Sequence, residues 1–443
     1  MPRAAVLAAE HSGPAAAGAA ILQRVRAAFD ERLDPKARAP LAVGFSGGGD
    51  SLALLLAARA WADEVGRPVL ALTVDHGLQP QSRAWTLAAA ETAQRLDIGF
   101  RALSWTGHKP SVGLSAAARR ARHALLAEAA REVGARVLLL GHTLDDLIEA
   151  ERMRAEGSNV GSPRVWSPSP VWPEGRDVFL LRPLLAVRRA ELRQLLLPSG
   201  LGWIEDPAND DVRYARARAR RCGDPGAPLP IPAGRPEPAP LAADADAAGV
   251  IRLDRTALLA LPPAESRRLL AAACVCAGGG ERLPRTHAIG RLLEAIETGE
   301  PFTATLAGAR VAAGAEILIA RDPGRIEMAA KPLPAGAVPV WDGRFEIGAS
   351  EPGWSVRPLR GLAARLGPKA RLALRRIPQI ARAALPVVID ARENIICPIL
   401  AQGSAVTART LVGARLASAC GGIARESHLG SSSDGEERPG ALS

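Results

Sequence analysis

The hexapeptide Ser-Gly-Gly-Gly-Asp-Ser at Ser46–Ser51 follows an apolar run, Leu41–Phe45, and precedes a helix-like stretch, Leu52–Val65. The apolar run predicts a buried strand. Glycines let a ligand approach the backbone closely, and the N–H groups that open a helix point towards an anion. The two serines add hydroxyl donors. The stretch therefore predicts a strand–loop–helix unit that binds a phosphate, although a glycine-rich turn alone also fits a plain connection.

A carboxylate inside this loop determines the kind of phosphate site. Asp50 would repel a phosphate unless a divalent cation bridged the two groups, so the loop predicts Mg²⁺ together with the phosphate. The loop lacks the Gly-Lys-Ser/Thr ending of a Walker A motif. We therefore expect a phosphate site of a different kind from that of the Walker proteins.

Apolar runs alternate with helical patterns over residues 21–221. Such alternation predicts an α/β fold, a Rossmann-like parallel sheet with helices on both faces. Ligands of these sheets bind outside the carboxyl ends of the strands. After the first strand, further strands are predicted at Val69–Val74, Phe100–Trp105 and Val137–Leu140, and further helices at Arg83–Leu96, Leu114–Val133 and Leu147–Arg154.

The composition changes along the chain and divides it into successive segments. Alanine and glycine dominate the start, prolines crowd a stretch after residue 221, and the end is polar. We predict a disordered N-terminus at 1–20, an α/β catalytic domain at 21–221, a proline-rich linker at 222–247, a small helical domain at 248–325, a C-terminal α+β domain at 326–420 and a disordered tail at 421–443.

The charge of the chain favours a polyanionic partner. The formal net charge is +10, and basic side chains release condensed counterions from the phosphates of nucleic acids. Coding bias towards arginine is the alternative, since lysine occurs only at Lys36, Lys109, Lys331 and Lys369. The cysteines lack metal-ligand or disulfide spacing, and no signal peptide or membrane-spanning run is recognised. We therefore expect a soluble cytoplasmic protein with no membrane partner.

Three carboxylates follow the fourth predicted strand. Asp145, Asp146 and Glu149 lie at its end and in the first turn after it, and Asp145 and Glu149 share a helical face. Together with the Ser46–Ser51 loop they fall at the sheet edge where ligands bind. They are candidates for holding Mg²⁺ or an ammonium group. The alternative is helix capping by the two aspartates, with Glu149 a solvated charge.

Histidines follow two of the predicted strands. Asp75 and His76 end the second strand, and His142 follows the fourth. At these positions both histidines are candidates to line a nucleotide cleft, although many histidines are only hydrogen-bonded surface groups.

Two groups of arginines are candidates for binding phosphate. Arg119 and Arg122 share one face of the third predicted helix, and arginine suits phosphate pairing. Arg216, Arg218 and Arg220 alternate along the chain and fit contacts with an RNA backbone. An exposed basic helix is the alternative for the first group, and arginine bias is the alternative for the second.

The Ser46–Ser51 loop resembles the Ser-Gly-Gly-X-Asp-Ser signature of the PP-loop ATP pyrophosphatases, which split ATP into AMP and pyrophosphate. The later motifs extend through Arg182–Leu185, Trp203–Asn209 and Arg216–Arg220. In order and spacing they resemble the tRNA(Ile)-lysidine synthetase family, closely over 41–220 and more loosely beyond. The chain has His123 where the family usually has Tyr, and it also departs from the family at Leu147, Ala150 and Ala217.

The resemblance implies ATP and Mg²⁺ as cofactors, and tRNA(Ile) with a CAU anticodon and free L-lysine as partners. It implies adenylation of the C2 oxygen of the wobble cytidine, followed by attack of the lysine ε-amine, which gives lysidine, AMP and pyrophosphate. We assign catalysis to Asp50, Asp145, Asp146 and Glu149; ATP binding to Ser46, Gly47, Gly48, Gly49, Asp50, Ser51, Asp75, His76 and His142; Mg²⁺ to Asp50 and Asp145; and tRNA or substrate binding to Arg119, Arg122, Asn209, Arg216, Arg218 and Arg220.

Two alternatives stay open. One is another PP-loop enzyme that modifies tRNA, although a thiolating enzyme would need paired cysteines, which this chain lacks. The other is a tRNA-binding protein with a degenerate, non-catalytic site. Retention of Asp50 and of the three carboxylates argues against the second alternative.

Overall fold

The computed structural model describes residues 14–158, 160–205, 243–401 and 405–429, with side chains from residue 18. The chain divides into two compact units, one formed by Met1–Arg235 with Ile423–Ser443 and the other by Pro236–Gly422. In the described part of the chain, no helix is long and apolar enough to cross a membrane.

A six-stranded sheet forms the centre of the first unit, in the order β3-β2-β1-β4-β6-β5. All neighbouring pairs are parallel except β5 and β6. The strands are β1 (Leu41–Gly44), β2 (Val69–Asp75), β3 (Gly99–Ser104), β4 (Val137–Leu140), β5 (Trp166–Pro168) and β6 (Phe179–Leu181). The helices are α1 (Pro14–Arg32), α2 (Gly49–Val65), α3 (Ser82–Arg95), α4 (Leu114–Glu132), α5 (Leu144–Ala155) and α6 (Arg189–Leu196), and a 3₁₀ turn follows at Leu197–Ser199.

Both faces of this sheet are covered because its strands are apolar on both sides. Leu41 and Val43 of β1 lie in one core with side chains from α1, α2, α3 and α6. Ala42, between them, points to the other face and packs with Leu126 of α4. A continuous apolar run is what a parallel strand between two helical layers requires. The predicted α/β architecture with helices on both faces is confirmed.

Two helices beside the site begin earlier in the chain than the sequence predicts. Helix α2 begins at Gly49, not Leu52, so Asp50 lies in its first turn. Helix α5 begins at Leu144, not Leu147, so Asp145 and Asp146 lie in its first turn as well. The segment predicted as disordered at 1–20 also contains the start of α1.

The second unit contains α7 (Arg255–Ala260), α8 (Pro263–Gly278), α9 (Thr286–Glu297) and a five-stranded antiparallel sheet in the order β7-β8-β11-β10-β9. Its strands are β7 (Ala243–Ala245), β8 (Ile251–Leu253), β9 (Phe302–Leu306), β10 (Ala309–Ala313) and β11 (Ile317–Arg321). The expectation of a mostly helical unit at 248–325 missed this sheet. Its strands are short and rich in alanine, which gives a weak strand pattern.

The rest of the second unit has two smaller antiparallel sheets, β12-β15-β16-β17 and β13-β14-β18. Val412 and Leu416 of the last helix pack in the same core as Ile251 and Ile319, so 248–325 and the last helix share one core. The strands are β12 (Lys331–Pro332), β13 (Val340–Trp341), β14 (Phe345–Ala349), β15 (Ser355–Pro358), β16 (Pro386–Ile389), β17 (Ile395–Ile396) and β18 (Val406–Thr410), and the helices are α10 (Pro368–Arg376), α11 (Gln379–Arg382) and α12 (Val412–Cys420).

The C-terminal segment Ile423–Leu429 belongs to the first unit, which corrects the expectation of a disordered tail from residue 421. Its Glu426 is buried and pairs with Arg67 through two short contacts, 2.7 and 2.8 Å. The polar composition that suggested disorder is concentrated in 430–443, which lie outside the described residues. Most of the predicted proline-rich linker, 222–242, lies outside them too.

Candidate active site

The loop after β1 is tied together by its own serines. The Ser51 hydroxyl donates to the Gly48 carbonyl at 2.8 Å and accepts from the Ser46 N–H at 3.2 Å. Gly47 has a φ of +79°, which favours glycine. Gly48 caps α2, and no side chain of the described residues caps that helix. The first-turn N–H groups of α2 are therefore open to an anion, as the sequence predicts.

A strap formed by Gly202–Ile204 lies against one side of this loop. The Ile204 N–H donates to the Gly47 carbonyl at 2.9 Å. A side chain at position 47 would collide with Ile204, and one at Gly49 would lie 3.5 Å from the Trp203 ring. Strap and loop line a cleft of about 210 Å³ together with Ala88 and Thr92 of α3. The strap thus requires glycine at position 47, whereas a Cβ at position 49 would only make van der Waals contact with Trp203.

The carboxylates of α5 lie beside the loop because β4 pairs with β1. Asp146 accepts from the Thr143 N–H at 2.8 Å and so caps its own helix. Asp145 accepts from the Arg189 N–H at 2.8 Å, at the start of α6. Glu149 is 2% exposed. Capping, the alternative from sequence, therefore holds for both aspartates, whereas Glu149 is a buried carboxylate and not a solvated one.

Arg189 joins these carboxylates to the loop. Its Nε donates to Asp50 Oδ2 at 2.8 Å, and its two other nitrogens lie 3.7 Å from Asp146 and 3.6 Å from Glu149. Burial disfavours the guanidinium charge, but the carboxylates outweigh burial and raise the pKa of Arg189 above its ordinary value. The structure thus brings three of the four predicted catalytic carboxylates around one guanidinium, whereas the fourth, Asp145, accepts from the Arg189 main-chain N–H and lies 3.5 Å from the Arg188 guanidinium.

Asp50 itself is partly withdrawn from solvent. Burial raises the pKa of Asp50 above its usual value, and Arg189 opposes this shift. The sequence analysis missed Arg189. A signal for it existed, because Arg188-Arg189 follows the Arg182–Leu185 motif directly and Glu191, three residues after Arg188, completes a capping box for α6.

Basic side chains form a second group close to the acidic one. Arg182 is buried and donates from Nε to His142 Nδ1 at 3.2 Å. Burial, with Arg119 and Arg122, lowers the pKa of Arg182 to about 10. Arg119, Arg122 and Arg182 bring three positive charges close together, so their combined electrostatic field attracts anions. This placement agrees with the assignment of Arg119 and Arg122 to substrate binding and of His142 to ATP binding, and both assignments remain predictions.

The residues after β2 have mixed roles. Asp75 Oδ1 accepts from the Gly77 N–H at 2.8 Å and shapes the turn there. The His76 ring meets Trp105 edge-on at 6.1 Å. Burial, followed by repulsion from Arg122, lowers the pKa of His76. Asp75 is therefore engaged in a local turn, and His76 is neutral at physiological pH.

His123 is an unusual group that the sequence analysis recorded only as a departure from the family. Its ring is 1% exposed. Neither ring nitrogen has a hydrogen-bond partner among the described residues. Burial, and then Arg122 and Arg119, lower the pKa of His123 to about 2.

The predicted tRNA contacts Asn209, Arg216, Arg218 and Arg220 lie outside the described residues. Within the described ranges, no group of three or more His, Cys, Asp or Glu side chains is arranged to hold a metal. Mg²⁺ often takes one or two carboxylates and completes its shell with water and substrate phosphate. The donor set of Asp50 and Asp145 fits that mode, and each carboxylate already lies beside a cation, Asp50 2.8 Å from Arg189 and Asp145 3.5 Å from Arg188.

Known proteins similar to this chain agree with the geometry. A family model described as "PP-loop domain" matches residues 21–222. The tRNA(Ile)-lysidine synthase of Caulobacter vibrioides is 53% identical over 83% of this chain and 88% of its own length. The tRNA(Ile)-lysidine synthase of Hyphomonas neptunium is 38% identical over 65% of this chain and 84% of its own.

A solved structure, the U34-tRNA thiolase NcsA from Methanococcus maripaludis with its [4Fe-4S] cluster, covers 46% of this chain and 71% of its own with a TM-score of 0.39 at 19% identity. The sheet and the Ser46–Ser51 loop define the catalytic half as a PP-loop domain, the class of enzymes that use ATP. Within that class, the chain belongs to the tRNA(Ile)-lysidine synthase family.

Proposed function

We propose that this protein is a carbon–nitrogen ligase that attaches lysine to the wobble cytidine of tRNA(Ile) with a CAU anticodon. In the first step the cytidine C2 oxygen attacks the α-phosphorus of ATP, and pyrophosphate leaves. In the second step the ε-amine of free lysine attacks C2, and AMP leaves with the former C2 oxygen. The product is lysidine, which pairs with A, so the codon read changes from AUG to AUA.

The loop side of the site handles the nucleotide. The open N–H groups of α2 and the Ser46 hydroxyl bind the pyrophosphate part of ATP, and the Ser51 hydroxyl, which donates to the Gly48 carbonyl, holds the loop in shape. Asp50, with Asp145, holds Mg²⁺, which when bound neutralises phosphate charge. His76 and His142 line the nucleotide, and the basic group of Arg119, Arg122 and Arg182 attracts phosphates of ATP or tRNA.

The acidic side handles lysine. Asp145 and Asp146 already accept short hydrogen bonds from main-chain N–H groups. Glu149 is a buried carboxylate 3.6 Å from the Arg189 guanidinium, so its surroundings already hold a cation. We assign Glu149 to the lysine ammonium and to acceptance of its proton before attack. A loop base needs little unpairing to enter such a site, and the second unit with Arg216–Arg220 grips the tRNA through shape and phosphate.

One observation carries the proposal: the phosphate loop and the α5 carboxylates meet at a single cation, Arg189, which spans Asp50, Asp146 and Glu149. This contact supports a nucleotide site next to an ammonium site, the arrangement that an activation followed by an amine attack requires. The similarity to tRNA(Ile)-lysidine synthases supports the same reading.

Purified full-length protein, labelled lysine, Mg-ATP and unmodified tRNA(Ile) with a CAU anticodon provide the test. We expect label in the tRNA and stoichiometric release of AMP and pyrophosphate. Reactions without ATP, and reactions with tRNA(Met) of the same anticodon, are the controls and should give no label. Pyrophosphate release without lysine incorporation would instead indicate another PP-loop chemistry, and tRNA binding without either product would indicate a non-catalytic protein.

A further inference from the structure

Arg189 is held in the acidic cluster more loosely than a purely structural arginine. Among the residues that the structure describes, its side chain comes within hydrogen-bond distance of Asp50, at 2.8 Å. The contacts with Asp146 and Glu149 are 3.7 and 3.6 Å, and its side chain is 23% exposed. A guanidinium in this position neutralises the carboxylates without being locked to any single one of them.

The backbone of Arg189 is fixed independently of its side chain. Its N–H donates to Asp145 at 2.8 Å, which caps α6. Leu192 and Leu196 of α6 pack in the same core as Leu52 of α2, the helix that carries Asp50. The side chain can therefore leave the cluster while α6 stays in place, because neither the cap nor the packing depends on the guanidinium.

We propose that Arg189 is a positioning residue that acts as an exchangeable internal counter-ion, occupying the carboxylate cluster until metal-bound nucleotide and lysine ammonium displace it. This inference rests on the proposed function, since it assumes that the same carboxylates bind those two cations. Four carboxylates without a cation would repel one another. Arg189 offsets part of this repulsion and holds Asp50 beside α5 in the empty enzyme. It also weakens metal binding before nucleotide arrives, because two cations cannot share the same carboxylates.

The test measures Mn²⁺ binding to the full-length, nucleotide-free protein by electron paramagnetic resonance. Arg189→Met should bind Mn²⁺ at least about tenfold more tightly than the wild type, because removal of one positive charge within 4 Å of the carboxylates is worth at least ~1.4 kcal/mol. Arg189→Lys keeps the charge and should stay within about threefold of the wild type. Arg24→Met is the matched control. Arg24 pairs with Glu191, which lies on α6 as Arg189 does, and the Arg24 side chain is 46% exposed.

A second measurement separates positioning from bulk charge. With Mg-ATP and tRNA present, Arg189→Met should keep kcat for pyrophosphate release within about threefold of the wild type, because Arg189 has left Asp50 by then, and should lower the Mg²⁺ concentration that gives half the maximal rate at least about threefold, whereas Arg189→Lys should need the wild-type concentration. Circular dichroism and thermal melts establish that each variant folds, and Arg189→Gln replaces the Met variant if that variant does not.

Equal or weaker Mn²⁺ binding by the neutral variants would overturn the counter-ion role. This outcome is distinct from failure of the proposed function, because the binding experiment needs no turnover. A wild type that incorporates no lysine, yet whose neutral variants bind Mn²⁺ more tightly, would keep the counter-ion role and reject the lysine chemistry.

Discussion

Arg67 and Arg189 both meet carboxylates inside the first unit, and the two arrangements differ in almost every physical detail. Arg67 is fully buried and uses its guanidinium on one carboxylate, Glu426, at 2.7 and 2.8 Å. Its remaining Nε donates to the Ala39 carbonyl at 2.8 Å. Arg189 is partly exposed and spreads over three carboxylates, with one short contact and two long ones.

The difference separates a structural ion pair from a functional one. Burial of a charge is costly unless a partner and additional hydrogen bonds compensate it. Arg67 and Glu426 compensate each other almost completely, and the Asp34 N–H adds a bond to Glu426 at 2.9 Å. At Arg189 one guanidinium faces three carboxylates, so the charges are not matched one to one. Carboxylates that share a cation in this way suit the exchange with Mg²⁺ or an ammonium group that we propose.

The largest expected effect concerns the Arg189 cluster, the more exposed of the two arrangements. Asp50→Ala removes the carboxylate that makes the short contact with Arg189 and that we assign to Mg²⁺. We expect pyrophosphate release to fall at least about a thousandfold, roughly 4 kcal/mol on the barrier, because phosphate charge is no longer neutralised in the transition state. Binding of tRNA, measured by filter retention, should change less than about threefold.

Asp63→Ala is the matched control for this variant. Asp63 lies on the same helix, pairs with Arg59 and is 56% exposed, so its loss should leave pyrophosphate release unchanged. If Asp50→Ala still adenylates tRNA, the assignment of the metal to the α2 side of the cluster is wrong.

Local pattern predicted the parts of the site that depend on local chain geometry. The strand before Ser46–Ser51, the helix after it and the end of β4 follow directly from apolar runs and glycines. Because parallel strands align their carboxyl ends at one edge, the closeness of Asp50 to the α5 carboxylates was also predictable. The helix starts were placed three residues late, since the sequence analysis left Asp50, Asp145 and Asp146 outside helices whose first turns readily accept acidic residues.

The parts that escaped prediction depend on contacts between distant segments. Arg189 reaches Asp50 across 139 positions, and Arg67 meets Glu426 across 359. Nothing in the residues around Glu426 distinguishes it from a solvated glutamate in a polar tail. Its role arises only when Ile423–Leu429 returns to the first unit.

The second-largest expected effect concerns the buried Arg67–Glu426 pair. Glu426→Ala leaves Arg67 buried without its carboxylate, so we expect the free energy of unfolding to fall by about 3–5 kcal/mol. Urea unfolding of the full-length protein, followed by circular dichroism, measures this change. The KM for ATP should stay within about twofold, since the pair contacts none of the site residues described above.

An exposed ion pair and an apolar replacement of the buried pair are the two comparisons for this measurement. Glu64→Ala breaks the exposed pair with Arg26 and should cost less than about 1 kcal/mol. The double variant Arg67→Met/Glu426→Leu should be more stable than Glu426→Ala, because no buried charge is left unpaired. A loss below about 1 kcal/mol for Glu426→Ala would show that the C-terminal segment is only weakly bound in solution.

The smallest effect concerns His123, a buried ionisable group with no hydrogen-bond partner among the described residues. Its pKa is about 2 in the folded protein, chiefly because of burial, against about 6.5 in an unfolded chain. Between these values the unfolded state binds the proton and the folded state does not. The stabilising contribution is therefore complete above pH 6.5 and is lost on acidification at about 1.4 kcal/mol per pH unit.

His123→Phe removes this titration without changing the apolar surroundings of α4. We expect the wild type to lose about 2 kcal/mol more than the variant between pH 6.5 and pH 5, measured by urea unfolding at each pH. His108→Phe replaces an exposed histidine and should behave like the wild type. Parallel pH profiles for wild type and His123→Phe would mean that His123 gains a proton in the folded state, and hence that water reaches this ring in solution, because burial is the chief cause of its lowered pKa.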